Sequence, residues 1–371
     1  MSKEAIYRKY RPGTFDDLLG QEIIKKILKE SAKQGKLAHA YLFSGPRGTG
    51  KTTTARLIAK IANCEKRQKD EKFKKKGEPC NKCDTCKEID NGFSMDIIEI
   101  DAASNRGIDE IRNLKENIRV SPHKSLYKVF IIDEAHMLTT AAFNALLKTL
   151  EEPPEHTVII LATTEKEKIP QTITSRTQQF HFKKIPLSEI ISKLERVIKE
   201  EKVKASKEVL ELIAVGADGS FRDAESLLDQ MIASGDKNIK IEEVESIIGK
   251  VSFSKIGDIV DDLLSDDLDK SLKTISEIDN GGYDLVEFTE DVLRYLRRTA
   301  VLKFSPNMDK LFKDEITKES LEKMKRQSDK FEKKHLKLIK NLIEAYTNMR
   351  YSQFPIIPLE VAVIESLSNK G

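Results

Sequence analysis

The chain has 371 residues, of which 34% are charged and 39% hydrophobic, with a net charge of +3; that is length enough for two or three domains with real cores. No run of about 18 apolar residues occurs, and the first ten residues, Met-Ser-Lys-Glu-Ala-Ile-Tyr-Arg-Lys-Tyr, hold no apolar signal segment, so membrane-spanning and exported classes drop out and a cytoplasmic location is expected. So small a net charge also excludes bulk electrostatics as a basis for nucleic-acid binding, which would need local clusters of positive groups.

In chain order, the apolar run Ala40-Tyr41-Leu42-Phe43 predicts a strand. It leads into Gly45-Pro46-Arg47-Gly48-Thr49-Gly50-Lys51-Thr52, a full match to the phosphate-cradling pattern G-x-x-x-x-G-K-[ST]. Thr53 to Lys60 then predicts a helix whose N-terminal amides would surround phosphates. In such a pattern Gly45, Gly48 and Gly50 allow close backbone approach, Lys51 reaches the β- and γ-phosphates of ATP, and Thr52 offers a hydroxyl to Mg2+. Four cysteines follow at 64, 80, 83 and 86, the last three spaced Cys-x-x-Cys-x-x-Cys. In a reducing compartment this favours a tetrahedral Zn2+ site of Cys64, Cys80, Cys83 and Cys86 over disulfides. The lysine-rich stretch before Cys80 is expected to be a solvated loop, which closes a metal site at modest entropic cost.

Ile97–Ile100, Val129–Ile132 and Thr157–Leu161 are further short apolar runs alternating with helical stretches. From Phe15 to about Pro186 this argues for a parallel α/β sheet with nucleotide chemistry at its strand ends. The run Val129-Phe-Ile-Ile-Asp133-Glu134 ends in two carboxylates, Asp133 to organise Mg2+ and Glu134 to activate water. His136 completes an Asp-Glu-Ala-His string also used by one helicase class; without that class's further motifs it is expected to be structural or peripheral. Thr163 and Thr164 end the next strand with hydroxyls suited to sensing a γ-phosphate. Ser175-Arg176-Thr177 precedes the predicted strand Gln179–Phe182, and Arg176 gains a role only if a neighbouring subunit's ATP faces it, because an arginine in trans accelerates hydrolysis roughly 10³–10⁵-fold. Helices are predicted over Glu189–Glu201, Ser206–Val215 and Arg222–Ala233, the last with Ala224, Leu227, Leu228 and Met231 at helical spacing, making a small helical domain that Arg222 would couple to phosphate state. After Gly249 only helical stripes recur: Ile256, Ile259, Val260, Leu263 and Leu264; Leu285, Phe288, Val292 and Leu296; Leu338, Leu342 and Tyr346.

Together these residues resemble the bacterial DNA polymerase III gamma/tau subunit family, the clamp-loader ATPases within the AAA+ superfamily. The resemblance rests on Tyr7-Arg-Lys-Tyr-Arg11-Pro12, Leu19-Gly-Gln-Glu22, His39 to Pro46, the four cysteines, Asp133-Glu134, Phe143 to Pro154, Ser175-Arg176, Gly219 to Asp223 and Leu227 to Gln230. Thr177 stands where the family's Ser-Arg-Cys motif has cysteine, and the stretch before Cys80 is longer than is typical. The resemblance implies an AAA+ nucleotide domain over 1–186 with a zinc insert at about 64–86, a helical lid over 187–249 and an all-α collar over 250–371, through which subunits form an open ring. It further implies Arg176 acting on a neighbour's ATP, Arg222 as lid sensor, and Thr164, or alternatively Thr163, as strand-end sensor. Tyr7, Arg11 and Pro12 would line the adenine and ribose side. The implied partners are other clamp-loader subunits, the sliding clamp and primer-template DNA read without regard to sequence, with no membrane. No polymerase active site is expected, and the chain stops near the expected end of the collar. DNA phosphates would meet helix starts such as Ala103-Ser-Asn-Arg106 and Leu138-Thr-Thr140. Two rivals stand beside this reading: a clamp-loader-like scaffold that hydrolyses nothing, against which Gly45–Thr52 and Asp133-Glu134 argue, and another AAA+ motor such as one for branch migration, disfavoured by the cysteines and the helical tail.

Overall fold

The computed structural model describes residues 4–104, 116–233, 235, 238–312 and 316–368. The chain forms two compact units: Met1–Ile185 with Gly219–Asp223, and Pro186–Asp218 with Ala224–Gly371.

The first unit is built on five parallel strands, β1 (Ala40–Ser44), β2 (Ile97–Asp101), β3 (Lys128–Asp133), β4 (Thr157–Thr163) and β5 (Gln178–His181), in the spatial order β2-β3-β4-β1-β5. This is the parallel α/β sheet expected from the alternating apolar runs. β1 and β4 are buried along their whole length and β3 up to Asp133, as continuous apolar runs in the middle of a parallel sheet must be. Alternate side chains feed two cores. Tyr41, Phe43, Ile131 and Ile160 pack with Phe15, Leu57, Ile58 and Phe182 on one face, while Leu42, Phe130, Ile132 and Leu161 pack with Phe143, Leu146 and Ile173 on the other. Both faces being covered, the polar ends of the strands at their C-terminal edge are what the sheet leaves for chemistry.

The stretch after Cys64 differs from the solvated loop expected. It folds into the short helices Glu65–Lys69 and Glu71–Lys74, followed by Asp84–Asn91. Arg67 causes this, for its side chain is buried and donates to the carbonyls of Ala32 (2.8 Å), Lys74 (3.1 Å), Ile61 (3.3 Å) and Glu78 (3.5 Å). Lysines surround it in sequence and hide this role.

The second unit is helical. Leu187–Glu201, Lys207–Gly216 and Ile241–Ile248 belong to it, joined by a parallel pairing of Lys204–Ala205 with Asn238–Ile239 that no sequence signal announced. Phe253–Leu264, Leu268–Asn280, Leu285–Phe304, Lys318–Lys330, His335–Met349 and Ile356–Leu367 follow and share one core, including Ile259, Val260, Phe288, Leu296, Leu338 and Leu342. Tyr346 was expected in that core; it stands at the rim instead, donating its hydroxyl to Glu290 (3.0 Å), and Ala345 and Met349 fill the core positions of its helix. The buried Glu245 accepts from the Ser252 amide (3.0 Å), Lys255 (2.6 Å) and the Tyr283 hydroxyl (3.1 Å), tying Ile241–Ile248 to the helices after it.

Candidate functional site

β1 delivers the chain into the glycine loop with Gly45, Gly48 and Gly50 at φ +138°, +71° and +101°. These are left-handed values that other residues rarely adopt. A Cβ on Gly45 would overlap the Phe182 carbonyl, and one on Gly48 would overlap the Ser220 hydroxyl. The helix Lys51–Asn63 starts directly from the loop with no side chain capping it, so its first-turn N–H groups have no partner within the helix. Lys51 is 6% exposed and donates to the carbonyls of Gly45 and Pro46, both at 2.7 Å. Burial lowers its pKa, while Glu134 and Asp133 oppose the shift. Thr49 is buried with its hydroxyl on the Pro46 carbonyl (2.8 Å), whereas Arg47 is exposed.

The strand ends bring the two halves of the pattern together. Thr52 donates from Oγ1 to Asp133 Oδ2 at 2.7 Å, so a hydroxyl and a carboxylate oxygen converge from the helix and from β3. Hard oxygen donors in this arrangement suit Mg2+. Glu134 leaves the strand at φ +47°, which turns its side chain back over the edge; Thr164 Oγ1 donates to its Oε2 at 3.0 Å. Thr164 therefore touches the second carboxylate, while Thr163, fully buried, lies 3.1 Å from His136 Nδ1. His136 is neither remote nor purely a packing residue. Its Nδ1 is 3.4 Å from Glu134 Oε2 and its Nε2 is 3.1 Å from Glu165 Oε1, contacts that agree with the structural of the two roles expected of it. His136 itself lies just beyond Asp133 in the three-residue helix Ala135–Met137, whereas Thr163 ends β4 and Glu165 follows it, so the sheet register brings them together.

Residues 219–223 close the other side. The Phe221 amide donates to the Gly48 carbonyl (3.1 Å) and the Ile185 amide to the Gly219 carbonyl (3.0 Å), so this segment rests on the glycine loop. The Arg222 guanidinium carbon lies 5.2 Å from the centre of the Tyr7 ring, with Arg8 at 5.8 Å, a cation–π distance. Arg11 and Pro12 are half-buried. Burial lowers the pKa of Arg11, reinforced by the positive charge of Arg56. Tyr7, Arg222 and the glycine loop are thus gathered by the fold. The contacts of Ser220 and Phe221 with Gly48 were not foreseen; the only sequence signal was the Gly219-Ser220 pair before a helix.

Arg176 lies elsewhere. It precedes β5, whose Gln178 pairs with Tyr41 at the beginning of β1, whereas the glycine loop follows the end of β1. It lines a cavity of about 640 Å³ with Ala38, His39, Leu150 and Gln178 and donates to Glu151 Oε1 (2.7 Å) and the Thr172 carbonyl (2.9 Å). The length of β1, about 13 Å at 3.3 Å per residue, separates it from its own phosphate loop.

Cys64, Cys80, Cys83 and Cys86 place their sulfurs within 4.8 Å of one another. Four thiolates on one Zn2+ at about 2.3 Å stand about 3.8 Å apart, so the donor set fits. Amides of Cys80, Lys82 and Cys83 point at Cys64 and Cys80 sulfurs from 3.3–3.4 Å, and Asn81 takes φ +56° to make the turn. A hydrogen bond from Cys86 lowers the Cys64 pKa to about 4, and the same bond raises that of Cys86.

Of the candidate DNA-facing helix starts, Ala103 and Ser104 follow β2 and are held by Asp101, both at 2.9 Å, while Asn105 and Arg106 lie outside the described residues. Thr139 accepts the Ala142 amide at 3.2 Å and so caps the helix Thr140–Glu151. Among the described residues no helix is long and apolar enough to cross a membrane.

A family model described as DNA polymerase III, delta subunit matches residues 20–186, one described as DNA polymerase III clamp loader subunit, ATPase lid domain matches 189–237, and one described as DNA polymerase III subunits gamma and tau domain III matches 239–369. The chain is 43% identical over 369 residues to the DNA polymerase III subunit tau of Bacillus subtilis, covering 98% of this chain and 63% of that one. It is 41% identical over 306 residues to subunit tau of Escherichia coli, covering 82% and 46%. With subunit gamma of Buchnera aphidicola it shares 38% identity over 308 residues, covering 83% and 81%. The chain thus spans less than two thirds of those two tau subunits and most of the gamma subunit.

Proposed function

Because the chain belongs to the family of DNA polymerase III gamma and tau subunits, we propose that it is the ATPase motor of a bacterial clamp loader, using ATP to place the sliding clamp on primed DNA within the DNA polymerase III holoenzyme in the cytoplasm. The single observation that carries the proposal is the convergence of Lys51, Thr52, Asp133, Glu134 and Thr164 at one edge of the sheet.

In this reading Gly45 to Thr52 cradle the triphosphate and Lys51 moves from the loop carbonyls to the β- and γ-phosphates. Thr52 and Asp133 would hold Mg2+, which offsets phosphate charge when bound. Glu134 takes a proton from the attacking water, and Thr164, bonded to Glu134, senses the γ-phosphate. Tyr7, Arg11 and Pro12 flank the base and ribose, and Arg222, at the start of the helix Phe221–Ala233, reads the phosphates as lid sensor. Arg176, too far from its own loop, serves the ATP of the next subunit. Loss of the γ-phosphate then removes charge-assisted bonds between subunits and loosens the ring. The four cysteines hold Zn2+ as a structural clasp. Residues 187–249 act as lid and 250–371 as collar, where Ile343, Ile357, Val361 and Ile364 are exposed apolar side chains suited to helical association. Primer-template DNA is gripped by its backbone, without sequence preference.

The test is ATP turnover by the full chain assembled with its partner subunits. Clamp and primed DNA together should stimulate turnover, and Lys51→Ala should abolish it. Equal turnover by wild type and Lys51→Ala, or indifference to clamp and primed DNA, would overturn the proposal.

A further inference from the structure

His136 occupies a position that nothing in the proposed chemistry uses. Its side chain is 8% exposed, and its ring is fixed at both nitrogens. Glu165 offers a carboxylate 3.1 Å from Nε2, and a carboxylate only accepts, so Nε2 carries a hydrogen. On the other side Thr163 Oγ1 accepts the Glu165 amide (3.1 Å) and can donate its own hydrogen to Nδ1 at 3.1 Å. With both nitrogens engaged, the ring stands as a wall 3.4 Å from Glu134 Oε2. The same oxygen accepts from Thr164 at 3.0 Å. Glu134 is therefore confined between a hydroxyl donor and an imidazole edge, on a backbone whose φ of +47° is costly for a side-chain-bearing residue.

We propose that His136, braced by Glu165, is a positioning residue that holds the Glu134 carboxylate at the strand edge in the orientation needed to take a proton from water. The inference rests on the reading of Glu134 as the base. It assigns no contact between His136 and nucleotide, so its removal acts on turnover and not on binding. A carboxylate free to swing by an ångström loses on the order of 10²-fold in rate, and Thr164 retains part of the restraint.

The experiment compares ATP affinity and turnover in the assembled full chain for wild type, His136→Ala, Glu165→Gln, Glu134→Gln and the double variant His136→Ala/Glu134→Gln. His136→Ala should lower kcat roughly tenfold to a hundredfold with KM and ATP affinity held within about twofold. Glu165→Gln, at a position open to solvent that does not threaten folding, should lower kcat in the same sense by a smaller factor. In the Glu134→Gln background His136→Ala should add nothing, since the group it positions is gone. A kcat unchanged in both His136→Ala and Glu165→Gln, a loss expressed wholly in KM, or a full additional loss in the double variant would overturn the inference while leaving the motor reading intact. Unchanged turnover by Glu134→Gln itself would overturn both.

Discussion

The residues of the proposed chemistry divide by whether their partners are near in sequence. Lys51, Thr52, Asp133 and Glu134 are legible because phosphate and metal chemistry demands those residue types in fixed short patterns. Asp96 has no such pattern. It is 3% exposed, and its carboxylate accepts the amides of His123 (2.6 Å), Lys124 (3.0 Å) and Ser125 (2.8 Å), pinning the approach to β3 beside the start of β2. Burial pushes its pKa up, but the three amides outweigh it and hold the carboxyl below its usual range. A depressed folded-state pKa stabilises the fold above the unfolded value of about 4 and loses that contribution as pH falls through the folded value. Asp96→Asn should therefore cost about 1–3 kcal/mol at neutral pH, measured by urea unfolding. The difference from wild type should shrink when the titration is repeated below about pH 4.

At the scale of elements, the strands of the sheet were readable because buried parallel strands are unbroken apolar runs; all five were expected near their observed places. The cysteine insert was readable only in part. Its cysteine spacing was plain, but Arg67 sits among exposed lysines and differs from them only in what it reaches in three dimensions. Two outcomes belong to this element. Chelation should release about one Zn2+ per chain, followed by faster tryptic cleavage between Cys64 and Cys86; a metal-free protein equally resistant to trypsin would contradict the clasp. Arg67→Met should lower stability by about 1–3 kcal/mol, because buried carbonyls, those of Ala32 and Ile61 among them, each lose a donor. Differential scanning calorimetry with metal in excess separates this effect from loss of zinc. In the helical unit, Tyr346 was misread as core because its spacing fits the stripe, yet its hydroxyl has Glu290 to satisfy.

For the whole molecule, the sequence marks a change from alternating strands and helices to helices alone, and the structure divides into two compact units. The sequence did not mark Gly219–Asp223 as part of the first unit, since contacts made in three dimensions, such as those of Phe221 with Gly48 and Arg222 with Tyr7, make it so. Nor did it foretell that Glu211, bonded to Thr317 (3.2 Å) and Ser320 (3.1 Å), would join 187–216 to the C-terminal helices in one unit. The prediction at this scale concerns Arg176. Mixing Arg176→Ala chains with Lys51→Ala chains, each inactive alone, should restore turnover wherever an intact loop meets an intact arginine. Failure of every mixing ratio to restore activity, in assemblies shown to contain both chains, would argue against a shared site.

In the proposed arrangement, a glycine loop at one end of β1 and Arg176 at the other give the contact between protomers a giving side and a receiving side. Copies joined by this contact therefore stack head to tail, and a row that does not close always leaves one terminal loop unserved and one terminal guanidinium idle. The number of competent sites is one fewer than the number of members. The last place in such a row is accordingly open to a chain with no catalytic loop of its own, provided it presents an arginine.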